Sequence, residues 1–281
     1  MVLSRTKIIS IAFMAIVLSR CTSSVQEDSN LLGNDVRLFN STPVWEMAKA
    51  IEKNDTLSLR ALLKEQPKSI LNYQEKKFGQ SLLNWSVYAS HYPAVKVLAE
   101  LGADPNLKAK DSTSAFINAA NHYESTDYLK TLLIYGGDVN AAADIDAPQH
   151  HRTPLMASAK SLENVKILIN AGANPNFVYN KNGEMQSALV YAFYSDNIDI
   201  IKYLIMDVGV DCKHATGVTI TGDSLYVTND LRLLPYPLKS IEYKKKMEVV
   251  AFLKKQGIDY LKAPIPAHYL KIYDKDYLEK Y

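Results

Sequence analysis

The chain has 281 residues, of which 47% are hydrophobic and 22% charged. Its 32 Lys and Arg nearly balance 30 Asp and Glu, and setting aside Arg5, Lys7 and Arg20 near the N-terminus leaves 29 against 30, with no basic footprint for nucleic acid. Cys21 and Cys212 are the only cysteines, too few for a disulfide framework, so stability must come from packing.

Arg5 and Lys7 form a basic start, followed by an apolar run of eleven residues from Ile8 to Leu18. As a helix this run rises only about 16 Å, roughly half the hydrocarbon core of a bilayer, so it reads as a secretory signal over residues 1–20 rather than a span. Leu18-Ser19-Arg20-Cys21 resembles the bacterial lipobox, with Arg20 standing where that pattern carries Gly, Ala or Ser. The resemblance implies lipid on Cys21, which would become the N-terminus and hold the protein at a membrane through several acyl chains. Thr22, rather than Asp, follows the cysteine, which by resemblance to enterobacterial lipoproteins implies the outer membrane. A soluble secreted form cut after Cys21 or Ser23, or an uncleaved anchor, are the alternatives. Residues 21–42 are polar and read as a flexible tether.

From 43 to 260 one phrase returns five times, at Gly102, Gly136, Gly172, Gly209 and Gly257, with intervals of 34, 36, 37 and 48 residues. The fullest forms are Gly102-Ala-Asp-Pro-Asn106 and Gly172-Ala-Asn-Pro-Asn176. Apolar helical stretches precede each glycine, and openings such as Ser81-Leu-Leu83, Ser114-Ala-Phe116, Thr153-Pro-Leu155 and Ser187-Ala-Leu189 stand at the start of each unit. The hydroxyl can cap a first helix, with Pro tolerated in its first turn. Small residues let neighbouring pairs stack, Gly ends the second helix, and Asp and Asn turn the chain into a finger. These units resemble the ankyrin repeat. The resemblance implies an all-α ankyrin-repeat solenoid of five to six helix–turn–helix units, with Trp45 to Lys64 as a capping unit.

From the end of one phrase to the start of the next unit the intervals are 8 (Asn106 to Ser114), 13 (Asn140 to Thr153), 11 (Asn176 to Ser187) and 23 (Lys213 to Tyr236). The last reading starts the final unit at Tyr236-Pro-Leu238. Three fingers are therefore extended, and the longest holds Val218–Thr221 and Ser224–Thr228 around Gly222-Asp223, the pattern of one β-hairpin. Such insertions share one edge of a solenoid, often the binding edge, although loop drift explains them equally.

The register places Trp85, Asn118, Ala157, Tyr191 and Ser240 in one row, and Tyr88, Asn121, Lys160, Tyr194 and Tyr243 three residues on, all on one helical face turned away from the core. Large aromatics with a polar tip suit interface anchors; the competing reading packs them beneath adjacent fingers. Trp85, Tyr88, Asn118, Asn121, Lys160, Tyr191, Tyr194 and, in the hairpin, Tyr226 are the candidate partner contacts. His150 and His151 lie near Asp144 and Asp146 but match no zinc spacing, so no metal or cofactor is expected. His91 fills a structural position. No nucleophile elbow, zincin helix, phosphate-cradling loop or Cys-x-x-Cys is present, and no enzyme activity is expected. In the tail, 261–281, Tyr269, Tyr273, Tyr277 and Tyr281 recur every fourth residue, an aromatic stripe along a helix that would cover the open end of the stack or, alternatively, dock a partner.

Together these features predict a non-enzymatic, monomeric lipoprotein of the bacterial cell envelope, its repeat domain in the periplasm, binding another protein. Some envelope ankyrin lipoproteins, which it resembles, act as immunity partners of secreted effectors including phospholipases. A structural or assembly factor for an envelope complex, or a periplasmic enzyme regulator, are the alternatives.

Overall fold

The computed structural model describes residues 30–143, 153–181, 184–219 and 222–281, with the side chains of 181 and 184 excepted. The signal segment, Cys21, the first part of the tether and the loop carrying Asp144, Asp146, His150 and His151 lie outside the described residues.

Hydroxyl caps set the first helices. Ser81 Oγ accepts from Asn84 N–H (3.1 Å), Ser114 Oγ from Ile117 (3.3 Å), Thr153 Oγ1 from Met156 (3.2 Å) and Ser187 Oγ from Val190 (3.1 Å). The four pairs they open are α3 (Leu82–Tyr88) with α4 (Tyr92–Glu100), α5 (Ala115–Asn121) with α6 (Asp127–Ile134), α7 (Pro154–Ala157) with α8 (Leu162–Asn170) and α9 (Ala188–Tyr194) with α10 (Ile198–Lys202); before them stands α1 (Trp45–Glu52) with α2 (Thr56–Lys64), whose first helix follows Val44 without a side-chain cap. A sixth pair, α11 (Val227–Arg232) and α12 (Ile241–Lys255), closes the stack, and α13 (Lys275–Lys280) lies in the tail. First helices pack on first helices and second on second, so one hydrophobic core runs from Leu31 to Tyr260. After α10 the helix widens into a π turn over Tyr203–Val208, because thirteen residues from Asn197 to Gly209 fill the place of twelve from Ser161 to Gly172.

The glycine phrase works as a ladder. Gly102, Gly136, Gly172, Gly209 and Gly257 all have φ between +75° and +96°, the left-handed turn that ends each second helix. Asn106 Oδ1 accepts from Asp138 N–H (2.8 Å) while its Nδ2 donates to the Gly136 carbonyl (2.8 Å). Asn140 repeats both bonds with Asn174 and Gly172, and Asn176 accepts from Asp211 N–H (2.9 Å). Asn72 supplies the first rung, accepting from Asp104 N–H (2.9 Å). Lys213 stands where the next asparagine would be, and the ladder ends there. The last joint is held instead by ion pairs between second helices, Lys202 with Glu248 and Lys245 with Asp199 (2.6 Å).

Besides the stretch read as tether, whose Leu31, Leu38 and Phe39 are packed into the core, three details depart from the sequence reading. The sixth unit starts at Tyr226, whose N–H donates to Asn229 Oδ1 (2.9 Å), and not at Tyr236. Compared with the unit before, its additional residues fall two in the finger, four between the helices and five in the second helix and its end. The finger from Lys213 to the sixth unit is therefore 13 residues, not 23. Second, the described residues hold two antiparallel strand pairs and not one: β1 (Tyr179–Lys181) with β2 (Glu184–Gln186), and β3 (Gly217–Val218) with β4 (Ser224–Leu225). The second is shorter than expected, since Val227 and Thr228 enter α11. Third, the tail is not one helix. Tyr269–Lys271 is a 3₁₀ turn and α13 follows a bend, yet the rings still touch in series at 5.3, 4.5 and 5.3 Å from Tyr269 through Tyr273 and Tyr277 to Tyr281. Tyr269 Oη donates to the Leu233 carbonyl (3.1 Å) and Tyr277 Oη to that of Tyr236 (3.0 Å), which lays the tail over the last unit. Beneath it, Lys246 is fully buried, donating to the Leu234 carbonyl (3.0 Å) with its Nζ 3.9 Å from the Tyr281 ring.

Candidate functional site: the ends of the first helices and the neighbouring fingers

The first helices end in a row of exposed side chains. Tyr88 closes α3 at 57% exposure and Tyr194 closes α9 at 76%. Between them Asn121 and Lys160 are exposed, and the Lys160 ammonium stands 6.0 Å from the ring of Tyr123, itself 60% exposed. Tyr88, Asn118, Asn121, His122 and Tyr123 line a hollow of about 250 Å³. Asn118 is fixed within it, since its Nδ2 donates to the buried Asn84 Oδ1 of the neighbouring first helix (2.8 Å). His122 stacks on Tyr128 at 4.1 Å and lies 3.3 Å from Ser90 Oγ, which holds the floor of the hollow.

At the other end, Tyr191 is half-buried, its hydroxyl 3.4 Å from Gln186 Oε1 of β2 and its ring edge-on to Tyr194 at 6.1 Å. Tyr194 forms part of a second concavity, about 500 Å³, between α9 and the β3–β4 hairpin. Tyr226 is exposed beyond it, capping α11. Thus Tyr88, Asn118 and Asn121 come together, Tyr191 and Tyr194 form a second group, Lys160 lies between, and Tyr226 stands apart on the last finger.

Trp85 is the correction. It is 1% exposed, its indole edge-on to Phe39 (5.4 Å) and beside His91 (5.3 Å), so no partner can reach it. The cause is non-local: the turn at Val36–Phe39 folds over the first full unit and closes its face. Ala157 is likewise buried. Ser240 caps α12, and Tyr243 Oη donates to the Lys280 carbonyl (2.5 Å), so these two serve the sixth unit's own structure. His91 also packs inward, and burial, against the pull of Glu52, lowers its pKa.

Sequence reasoning missed Tyr123, two residues past the end of α5, and the acid Asp230 in α11. The β1–β2 hairpin did carry a signal, the Asn182-Gly183 pair between two extended segments. Among the described residues no group of three or more His, Cys, Asp or Glu is placed to hold a metal, and no helix is long and apolar enough to cross a membrane.

Comparison with known proteins agrees with this architecture. Residues 110–216 match the family model described as ankyrin repeats (3 copies). The chain is 27% identical over 128 residues to Protein PhlB of Serratia liquefaciens, covering 45% of this chain and 52% of that protein. It is 29% identical over 140 residues to the putative ankyrin repeat protein L86 of Acanthamoeba polyphaga mimivirus, covering 43% and 24%. The chain thus spans about half or less of the length of these curated relatives. Among solved structures, the ankyrin repeat protein EF0377 superposes with a TM-score of 0.50 at 22% identity, covering 75% of this chain and 98% of that one. The human ASB11 ankyrin repeat domain does so with 0.55 at 19% identity, covering 79% and 92%.

Proposed function

Because this chain carries ankyrin repeats in an ankyrin-repeat fold, we propose that it acts without catalysis of its own and binds one protein along the exposed row from Tyr88 to Tyr194 and the fingers beside it. The observation that carries the reading is that row. Tyr88, Tyr123 and Tyr194 each expose more than half of their surface along it. Aromatic side chains of this kind, set among amides and one cation, are the residues that dominate protein interfaces. The test is the affinity of the purified domain for its isolated partner, measured by calorimetry. Tyr88→Ala with Tyr194→Ala is expected to weaken binding at least tenfold while leaving the thermal midpoint nearly unchanged, and an unaltered affinity would sink the assignment.

The setting in which it binds follows from the N-terminal sequence. We read residues 1–20 as an export signal and Cys21 as a lipidation site, which hold the repeats at the outer membrane on the periplasmic side. In that setting the partner that fits best is a secreted effector, neutralised by being held. Metabolic labelling with an alkynyl palmitate is expected to mark the wild-type chain and not Cys21→Ser, which should also leave the membrane fraction. Retention of the variant on membranes would contradict the anchor.

A further inference from the structure

The concavity between α9 and the β3–β4 hairpin differs from the rest of the row in its chemistry. Val190, Phe193 and Leu234 form a buried floor, and Val218 and Leu233 stand exposed at the rim. The charged groups lining it among the described residues are both acids, Asp196 and Asp230. Asp196 is exposed at the mouth and accepts from Tyr236 Oη (3.2 Å). Asp230 lies inside. Its Oδ2 is withdrawn from water and makes no well-aligned hydrogen bond among the described residues; Thr216 Oγ1, likewise withdrawn, is the nearest donor and is close enough to act on the carboxylate without completing its bonding. An ionised carboxylate left in this state is costly, and burial accordingly pushes the Asp230 pKa up, against the lowering by Thr216. A buried acceptor of this kind, at the base of an apolar slot of about 500 Å³, is complementary to a cation carried on an aliphatic stem.

We propose that this slot receives a lysine or arginine side chain of the protein partner, its methylenes against Phe193 and Leu234 and its charged head against Asp230. Both hairpin inserts serve this function: β3–β4 supplies the outer wall through Val218, and β2 supplies Met185 between this slot and the next finger. Tyr194 belongs to both the exposed row and the slot, so the inserted side chain anchors the end of the same interface. This inference rests on the protein-binding reading above and adds to it a required chemistry, a basic residue flanked by apolar surface.

The test needs no identified partner. N-acetyl-arginine amide, N-acetyl-lysine amide and the neutral isostere N-acetyl-citrulline amide are titrated into the ¹³C-methyl-labelled chain. The expected result is saturable shifts of the Met185 and Leu233 methyls for the two cations, at least tenfold tighter than for citrulline. Asp230→Asn keeps the shape of the side chain and should abolish that difference. Leu233→Arg, which fills the slot from its own rim, should abolish binding altogether. Equal binding of citrulline, unchanged cation binding in Asp230→Asn, or tighter saturation by spermidine than by either amino-acid amide would overturn the proposal. Because these titrations omit the partner, their failure leaves the Tyr88–Tyr194 interface standing. Conversely, a partner that ignores the tyrosine variants leaves the titrations valid.

Discussion

At the residue scale, Gly137 shows how tightly one position can be fixed by its neighbour. The closing phrases of the two neighbouring units read Gly102-Ala103 and Gly172-Ala173, but here a second glycine stands in that place. A Cβ on Gly137 would lie 2.1 Å from Cδ2 of Phe116, a ring with no exposed surface. Phe116 thus fills the space that alanine occupies in the two neighbouring units, and the two residues compensate in volume. Gly137→Ala is expected to destabilise the protein by about 1–3 kcal/mol through overpacking, read as a lower urea midpoint. Phe116→Leu in the same chain should recover part of that loss, because it returns room to the site.

At the element scale, the sixth unit departs most from its predecessors and carries the clearest pH dependence. Lys246 in α12 is buried beside Arg232 of α11, and burial, then the repulsion of Arg232, lowers its pKa from 10.5 to about 7. The Tyr281 face favours the ammonium and works against that fall. Between about pH 7 and pH 10 the unfolded chain therefore binds a proton that the folded chain does not, so stability rises with pH in this window. Above about 10 the sign reverses, since burial raises the pKa values of Tyr260, Tyr277 and Tyr281 and the unfolded chain loses its phenolic protons first. Lys246→Met is expected to raise the urea midpoint at pH 7 and to flatten the rise between 7 and 10.

The same unit shows where the sequence stopped being legible. Caps at Ser81, Ser114, Thr153 and Ser187 and the turning glycines were readable because each acts within four residues of itself. Tyr236-Pro-Leu238 imitates such a start, whereas the true start has Tyr226 and Asn229 in place of a Ser or Thr cap. The site was legible where exposure followed from helical spacing alone, as at Tyr88 and Tyr194. It failed at Trp85, whose burial depends on Phe39 reaching back from outside the repeats. Asp230 carries no motif at all; its isolation arises only when α11 closes over Thr216.

At the scale of the whole molecule, each helix pair leans on its neighbours and the last one leans on the tail. Arg232 Nη1 donates to the Tyr281 main-chain oxygen (2.7 Å), and the Tyr281 ring is buried against the sixth pair. Truncation after Ala263 uncovers α11 and α12 but touches nothing in the first four pairs. Stacked repeats owe their stability to nearest neighbours, so amide hydrogen exchange should speed up in α11 and α12 while α3 to α8 keep their protection. Uniform loss of protection along the chain would mean that the stack folds as one indivisible unit.

The ladder that stops at Lys213 gives the stack two kinds of seam. Four joints are riveted by neutral asparagine bonds that dissolved ions hardly touch, the first of them with the Arg60–Glu100 ion pair in addition. The fifth is latched by Lys202–Glu248 and Lys245–Asp199 on the surface, where such pairs weaken as added salt shortens the screening length from its usual value of about 8–10 Å. Under tension along the stack the latch yields before the rivets, and rising ionic strength loosens it further. The stack is a rod with one adjustable clasp, set beside the finger that bears the Asp230 slot.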